Sequence, residues 1–266
     1  MLWEDSGSAS ALDISGAVLN NITWSYSKLQ CFCSCPYQFY LRYILHEKAS
    51  PLFYATYGTF VHSLLAGLYS MKYTKEELLP KYIQGFFSAV IGKTPGLKTF
   101  GDYYSQGLSA MQNPWLPEAE IIGTETKILY DIGKYKFTGF IDLTLRTEEG
   151  CLIIVDHKSH NLSPRSGRKK PTLKDKELDA YFRQLYLYSE GYRQMTGLLP
   201  DRLMFNCYRS NVQISERFNR QDFESALDWA VDTIDEIKKS DWPAIGNFYQ
   251  CKHICDVSQS CEWKGL

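Results

Sequence analysis

Two strand-like segments of this chain end in carboxylates. Gly139-Phe-Ile-Asp142 is followed, after a short turn, by Ile153-Ile-Val-Asp156-His-Lys158. On an extended strand residues i and i+2 share a face, so Asp156 and Lys158 point the same way. Asp142 can converge on them from the neighbouring strand. Two carboxylates bind a hard divalent cation through oxygen, and an adjacent ammonium can hold or activate a water beside it. These are the parts needed for metal-assisted phosphodiester hydrolysis. An isolated Asp-x-Lys is more often a surface ion pair, so the surrounding sequence has to decide.

Further along, Gln184 and Tyr188 stand four residues apart and share one helical face. Beside a metal, glutamine can orient a water or a phosphate oxygen, and a tyrosine hydroxyl can contact phosphate. The plainer reading is an amphipathic helix on which Tyr188 packs and Gln184 meets solvent. His62, in Gly58-Thr-Phe-Val-His62, can offer a neutral imidazole to a divalent ion. A lone helical histidine is more often a packed or surface residue. Glu125 is a further carboxylate near this group, with the surface as its default place. Arg165, Arg168, Lys169, Lys170 and Lys174 form the densest positive stretch. Such a run is either a solvated loop or, next to a phosphodiesterase site, a set of contacts to nucleic-acid phosphates.

The cysteines fall into groups. Cys251, Cys255 and Cys261 crowd the C-terminal tail, and Cys35 lies far upstream before Pro36. Four thiolates suit an iron–sulfur cluster or tetrahedral zinc. Either would tie the N-terminal region to the tail and couple metal binding to folding. Cys31 and Cys33 are spare ligands or ordinary small residues, while Cys151 and Cys207 read as core.

These residues have to be positioned by elements. Residues 1–23 read as a loose Ser/Ala/Gly-rich arm. A helical run from Lys28 to about Ile44 is interrupted at Cys35-Pro36, where proline suits a new first turn. Helical spacing recurs over 54–73 and 75–90, and 93–118 reads as looser because of its glycines and prolines. Strand patterns follow at about 121–130, 134–146 and 151–158, joined at Asp131-Ile-Gly133 and Glu148-Glu-Gly150 by hairpin turns. A basic loop over 159–173, a helix at 175–196, strands at 201–208 and 211–217, and a helix at 221–240 complete the order. That order predicts an α/β fold with a mixed sheet flanked by helices.

With 266 residues, 44% hydrophobic and 15% aromatic, the chain is long and apolar enough for a packed core. A net charge of -1 excludes a generally polyanion-binding coat, so any nucleic-acid contact must be a local patch. There is no signal-like n-region and h-region and no eighteen-residue apolar run, so neither secretion nor a membrane span is expected. Eight cysteines then point to a reducing compartment such as the cytoplasm.

Taken in order, Ser25, Ser27 and Leu29 before Cys35-Pro36 with Phe39 and Tyr43, Gly58-x3-His62, Gly139-Phe-Ile-Asp142, Asp156-x-Lys158, Gln184-x3-Tyr188 and three terminal cysteines resemble the RecB-type exonucleases of the PD-(D/E)XK superfamily. Small members of that group are the nearest in kind: CRISPR-adaptation exonucleases, phage relatives and the nuclease domain of AddB. The resemblance covers about residues 24–263. It implies a restriction-endonuclease-like domain over 24–266, with a helical clamp at 24–120, a catalytic core at 121–240 and a Cys-rich tail at 241–266.

Carried onto this sequence, the resemblance implies that His62, Asp142, Asp156 and the backbone carbonyl of His157 ligate Mg2+ or Mn2+. Lys158 would position or help deprotonate the attacking water, and Gln184 and Tyr188 would complete the active site. Cys35, Cys251, Cys255 and Cys261 would hold a 4Fe-4S cluster, with zinc as the alternative. Ile141 stands where the superfamily name has proline, and three residues rather than two separate Cys251 from Cys255. The implied substrate is DNA, single strands first, with Arg165, Arg168, Lys169 and Lys170 on the backbone and Tyr37, Phe39, Tyr40 and Tyr43 free to stack or to pack. A helicase, recombinase or integrase partner would fit this group. Cleavage of RNA, or a DNA-binding scaffold that keeps the fold without turnover, are the competing readings.

Overall fold

The computed structural model describes residue 16 and residues 18–263, so most of the expected arm lies outside the described residues. Residues 18–21 are helical, and Leu19 is buried against the core. In chain order the helices are α1 (Tyr26–Ser34), α2 (Pro36–Phe39) running into a π-helical turn (Tyr40–Ile44), α3 (Phe53–Tyr69), α4 (Lys75–Ala89) and α5 (Leu97–Gln112). Strands β1 (Glu120–Ile132), β2 (Tyr135–Arg146) and β3 (Leu152–Lys158) follow. Then come α6 (Leu173–Thr196), β4 (Arg202–Cys207), β5 (Val212–Arg217), α7 (Arg220–Lys239) and α8 (Phe248–His253). No helix among the described residues is long and apolar enough to cross a membrane.

The five strands form one mixed sheet in the order β1-β2-β3-β4-β5, in which β3 and β4 pair in parallel and the other neighbours are antiparallel. The parallel pair needs a crossover, and α6 supplies it. Its start is set by Thr172, whose side chain and that of Asp175 form a reciprocal capping box. Gly197, at φ +81°, ends it in the left-handed conformation that glycine adopts without a Cβ penalty.

Helices cover both faces, which is why β3 reads as an unbroken apolar run rather than an alternating one. Leu152 and Ile154 join the core formed with α6, α7 and α1, and Ile153 and Val155 join the one formed with α3, α4 and α5. Alpha-helix α5 replaces the looser segment expected over 93–118. Its Phe100, Tyr103, Tyr104, Leu108 and Met111 keep helical spacing and pack in the second core, although Gly96, Gly101 and Gly107 obscure the pattern in sequence.

The sheet opens where the site forms. Strand β2 pairs with β3 only over Leu143 to Arg146, whereas its pairing with β1 continues out to the Tyr135–Ile132 turn. Beyond Leu143, β2 and β3 therefore splay apart, and β1–β2 leaves the sheet as a two-stranded ribbon.

Candidate active site

The gap between β2 and β3 is a cleft of about 600 Å³. Asp142, Asp156, Lys158, Gln184 and Tyr188 line it together with His62, His157, Ser25 and Ser27. Residues spread over the sequence from α1 to α6 thus meet in one place.

Asp142 is 8% exposed and is anchored by the backbone N–H of His157, which donates to Oδ2 at 2.7 Å. The same oxygen is 3.5 Å from His62 Nδ1. Burial works against its ionisation, but the His62 and His157 groups outweigh that and hold the carboxyl at about 2. For His62, burial lowers the pKa and Asp142 raises it, with the net shift upward. Asp156 goes the opposite way. Burial pushes its pKa up, Lys158 pulls it down and Asp142 pushes it up again, leaving it raised. Two nearby carboxylates with pKa values driven apart are a common signature of a reaction centre.

His62, Glu125 and Asp142 offer donor atoms that all lie within 4.8 Å of one another. An imidazole with two carboxylates suits Mn2+ or Mg2+, and this spacing lets all three converge on one ion. Glu125 keeps the exposed place expected of it and forms the outer edge of this three-donor group. Counting back along the hairpin from the Ile132–Tyr135 pair sets it opposite Asp142, yet the ladder skips both residues. Glu125 has φ +46°, a left-handed conformation unfavourable for a non-glycine residue inside a strand. Asp156 lies outside the three-donor group, and its Oδ2 is 2.8 Å from Lys158 Nζ.

Lys158 continues a polar chain into α6. Its ammonium donates to Gln184 Oε1 at 2.7 Å, and Gln184 Nε2 donates to the Tyr188 hydroxyl at 2.8 Å. Both polar atoms of Gln184 are engaged, so this glutamine orients the lysine rather than meeting water. An ammonium carries three donors, which leaves Lys158 one beyond these two partners. Tyr188 is buried, and burial raises its pKa above the ordinary tyrosine value, so it stays a neutral hydroxyl. Its ring lies against Gly139, where an added Cβ would come within 2.6 Å of Cε1. The glycine of Gly139-Phe-Ile-Asp142 is therefore required by the tyrosine of the Gln-x3-Tyr pair.

A family model of the PD-(D/E)XK nuclease superfamily matches residues 23–262. The chain belongs to the PD-(D/E)XK nuclease superfamily. No curated protein matches it. It is similar in fold to the crystal structure of a provisionally assigned exonuclease from Eubacterium rectale, at 10% identity and a TM-score of 0.51, over 90% of this chain and 87% of that one. A second structure, SSO0001, aligns at 18% identity and a TM-score of 0.32, over 72% of this chain and 97% of that one, a score too low to carry argument. Nucleases of this superfamily use divalent metals, in keeping with the three-donor group of His62, Glu125 and Asp142.

Other expected site residues of this superfamily member sit as follows. The His157 ring stacks on Tyr69 at 5.3 Å, meets the His62 ring edge-on at 5.8 Å, and has Asn206 at 3.2 Å from Nδ1. Burial lowers its pKa to about 4, so the ring is neutral, and the residue meets Asp142 through its backbone N–H. In the basic loop Arg165 is held by Glu216 and Asp179, leaving Arg168, Lys169 and Lys170 exposed. Phe39 is buried between Trp24 and Trp242, and Tyr40 stacks on Trp242, so those two rings belong to the core.

Cys35, Cys251, Cys255 and Cys261 line one cavity of about 90 Å³. Cys31 and Cys33 do not line it. Asp256, next to Cys255, fastens the tail by pairing with Arg42 at 2.9 Å and accepting from Gln38 at 3.2 Å. Gly246 closes the cavity: a Cβ there would lie 3.0 Å from Cys251 Sγ and 3.9 Å from Cys35 Sγ.

Proposed function

We propose that this protein is a Mg2+- or Mn2+-dependent deoxyribonuclease that degrades single-stranded DNA from its ends, working as one nuclease domain over residues 24–266. The observation that carries this reading is the meeting, in one cleft, of the Asp156–Lys158–Gln184–Tyr188 chain with the His62–Asp142 pair. His62, Glu125 and Asp142 would hold the ion, with Asp156 turning to it when Lys158 engages substrate. Bound there, the ion would supply Lewis-acid polarisation of the phosphodiester and a lowered pKa for the attacking water.

The remaining work falls to the chain. Lys158, held by Gln184 and released by Asp156, presents its remaining N–H groups to the water or to the phosphate oxygen on which charge develops. Gln184 and Tyr188 keep that ammonium from swinging into solvent. The exposed Arg168, Lys169 and Lys170 would meet backbone phosphates.

For the cysteines we favour a 4Fe-4S cluster. Zinc at about 2.3 Å from each sulfur would bring the sulfurs to about 3.8 Å from one another. The cavity between them and the glycine at its wall suit a larger group.

The test is end-labelled single-stranded DNA, with and without Mn2+, incubated with anaerobically purified wild type and Lys158→Ala, with iron and zinc measured on the same samples. Metal-dependent shortening from the ends, lost in Lys158→Ala, is the expected result. Wild type that binds DNA but fails to cleave it under any metal would sink the catalytic reading.

A further inference from the structure

We propose that the outward face of the β1–β2 ribbon is the platform on which single-stranded DNA lies, with Phe140 stacking on the base next to the scissile phosphate. This rests on the nuclease reading above and adds the residues that grip the substrate.

The ribbon is two-faced. Inward residues such as Ile128, Tyr130, Phe137 and Ile141 are almost fully buried in the core. Strand alternation would make the other face polar if it served only solvent. Instead it carries Phe140 at 49% exposure and Leu129 at 66%. Phe140 sits opposite Lys127, and Leu129 opposite Thr138, with Lys136 exposed two residues further out. Neither Lys127 nor Lys136 forms an ion pair among the described residues, although Asp131 stands opposite Lys136 at the tip. Apolar rings and chains between unpaired ammonium groups match a single strand, which offers flat bases and a phosphate backbone together.

Continuity with the cleft fixes where that strand would lie. Thr138, Phe140 and Asp142, alternate residues of β2, all line the same cleft. At about 3.4 Å per residue, Phe140 is roughly 7 Å along the strand from Asp142. A phosphate held at the metal group therefore sets its neighbouring base over the Phe140 ring. Of the N-terminal aromatics, Phe39 and Tyr40 are already spent on Trp24 and Trp242.

The experiment is equilibrium binding of a single-stranded oligonucleotide carrying 2-aminopurine near its end, in metal-free buffer so that it stays intact. Wild type, Phe140→Ala, Phe140→Leu and Phe140→Trp are compared, with thermal midpoints as the check on folding. Phe140→Ala and Phe140→Leu should bind about 5- to 150-fold more weakly and lose the stacking quench, as for a lost base–aromatic contact. Phe140→Trp should retain both. Lys127→Ala should weaken binding at low salt and flatten its salt dependence. Equal binding and quench in wild type and Phe140→Ala, from an enzyme that does cleave with Mn2+, would overturn the platform and leave the nuclease reading standing. Wild type that neither binds nor cleaves any single strand would overturn both.

Discussion

Replacing Gly139 by alanine tests, with a single methyl group, whether the two halves of the site are mechanically coupled. The new Cβ would stand 2.6 Å from Tyr188 Cε1, 3.2 Å from Cδ1 and 3.4 Å from Cζ. Carbon atoms rest at about 3.5–4.0 Å, so the ring has to withdraw by about 1 Å. The backbone is no obstacle, because Gly139 is not among the residues with positive φ. Overpacking of this kind costs about 1–3 kcal/mol. A 1 Å retreat also stretches the 2.8 Å Gln184–Tyr188 hydrogen bond past its useful range, which adds about 1 kcal/mol. The sum, about 2–4 kcal/mol, lowers the thermal midpoint by roughly 4–15 °C in a domain of this size. Because Gln184 also holds Lys158, kcat should fall by about 10- to 100-fold with KM little changed, the mark of an interaction made chiefly in the transition state. The decisive assay is a double-mutant cycle. In a Tyr188→Ala background the alanine at 139 meets no ring, so its added cost should shrink by about 1–3 kcal/mol of coupling. Strict additivity, or a Gly139→Ala enzyme with wild-type melting and turnover, would refute the reasoning.

Two further perturbations probe the metal group and the basic loop. Glu125→Gly should separate stability from binding. Relief of the left-handed φ is worth about 1–3 kcal/mol against about 0.5–1 kcal/mol for glycine in a strand, so melting should be unchanged or higher, while Mn2+ affinity by calorimetry falls at least about tenfold. A variant that melts lower yet binds Mn2+ normally would remove Glu125 from the site. Asp175 accepts from the Ser166 and Thr172 amides and from both their hydroxyls, which hold its pKa well below the ordinary 3.8. A depressed folded-state pKa gives stability that is fully present above 3.8 and is lost as pH falls toward the folded value. Asp175→Asn should therefore melt below wild type at pH 7 and pH 5, speed tryptic cutting within 159–172, and narrow its gap to wild type at pH 3. A gap that widened in acid would contradict this account.

How much of the site is written in the sequence depends on which distances the chain itself fixes. The Asp156–Lys158 pair and the Gln184–Tyr188 bond lie within one strand and one helix, where residue spacing alone decides who shares a face, and both contacts are present at 2.8 Å. The hairpin turns were legible for the same reason, with Gly133 and Gly150 at positive φ where the turns need them. Glu125 was harder. Its partnership with Asp142 follows only once the register is counted from the Ile132–Tyr135 end, and the strain at Glu125 has no sequence signature at all. Helix α5 was hidden because glycines interrupt its apolar stripe, although tertiary packing of Tyr103, Tyr104 and Met111 outweighs the low helix propensity of those glycines. Least legible are contacts between elements. Nothing in the spacing says that Arg165 will be taken by Glu216 and Asp179, or that His62 will come within 3.5 Å of Asp142. Those contacts are set by how two core layers seat α3 and α6 on opposite faces of the sheet. The cleft itself has the same origin. It exists because β2 stops pairing with β3 at Leu143, and that follows from the long β1–β2 hairpin twisting away from a sheet it shares for only four residues. A strand that stayed paired past Asp142 would keep every motif in order and have no space for a phosphate between them.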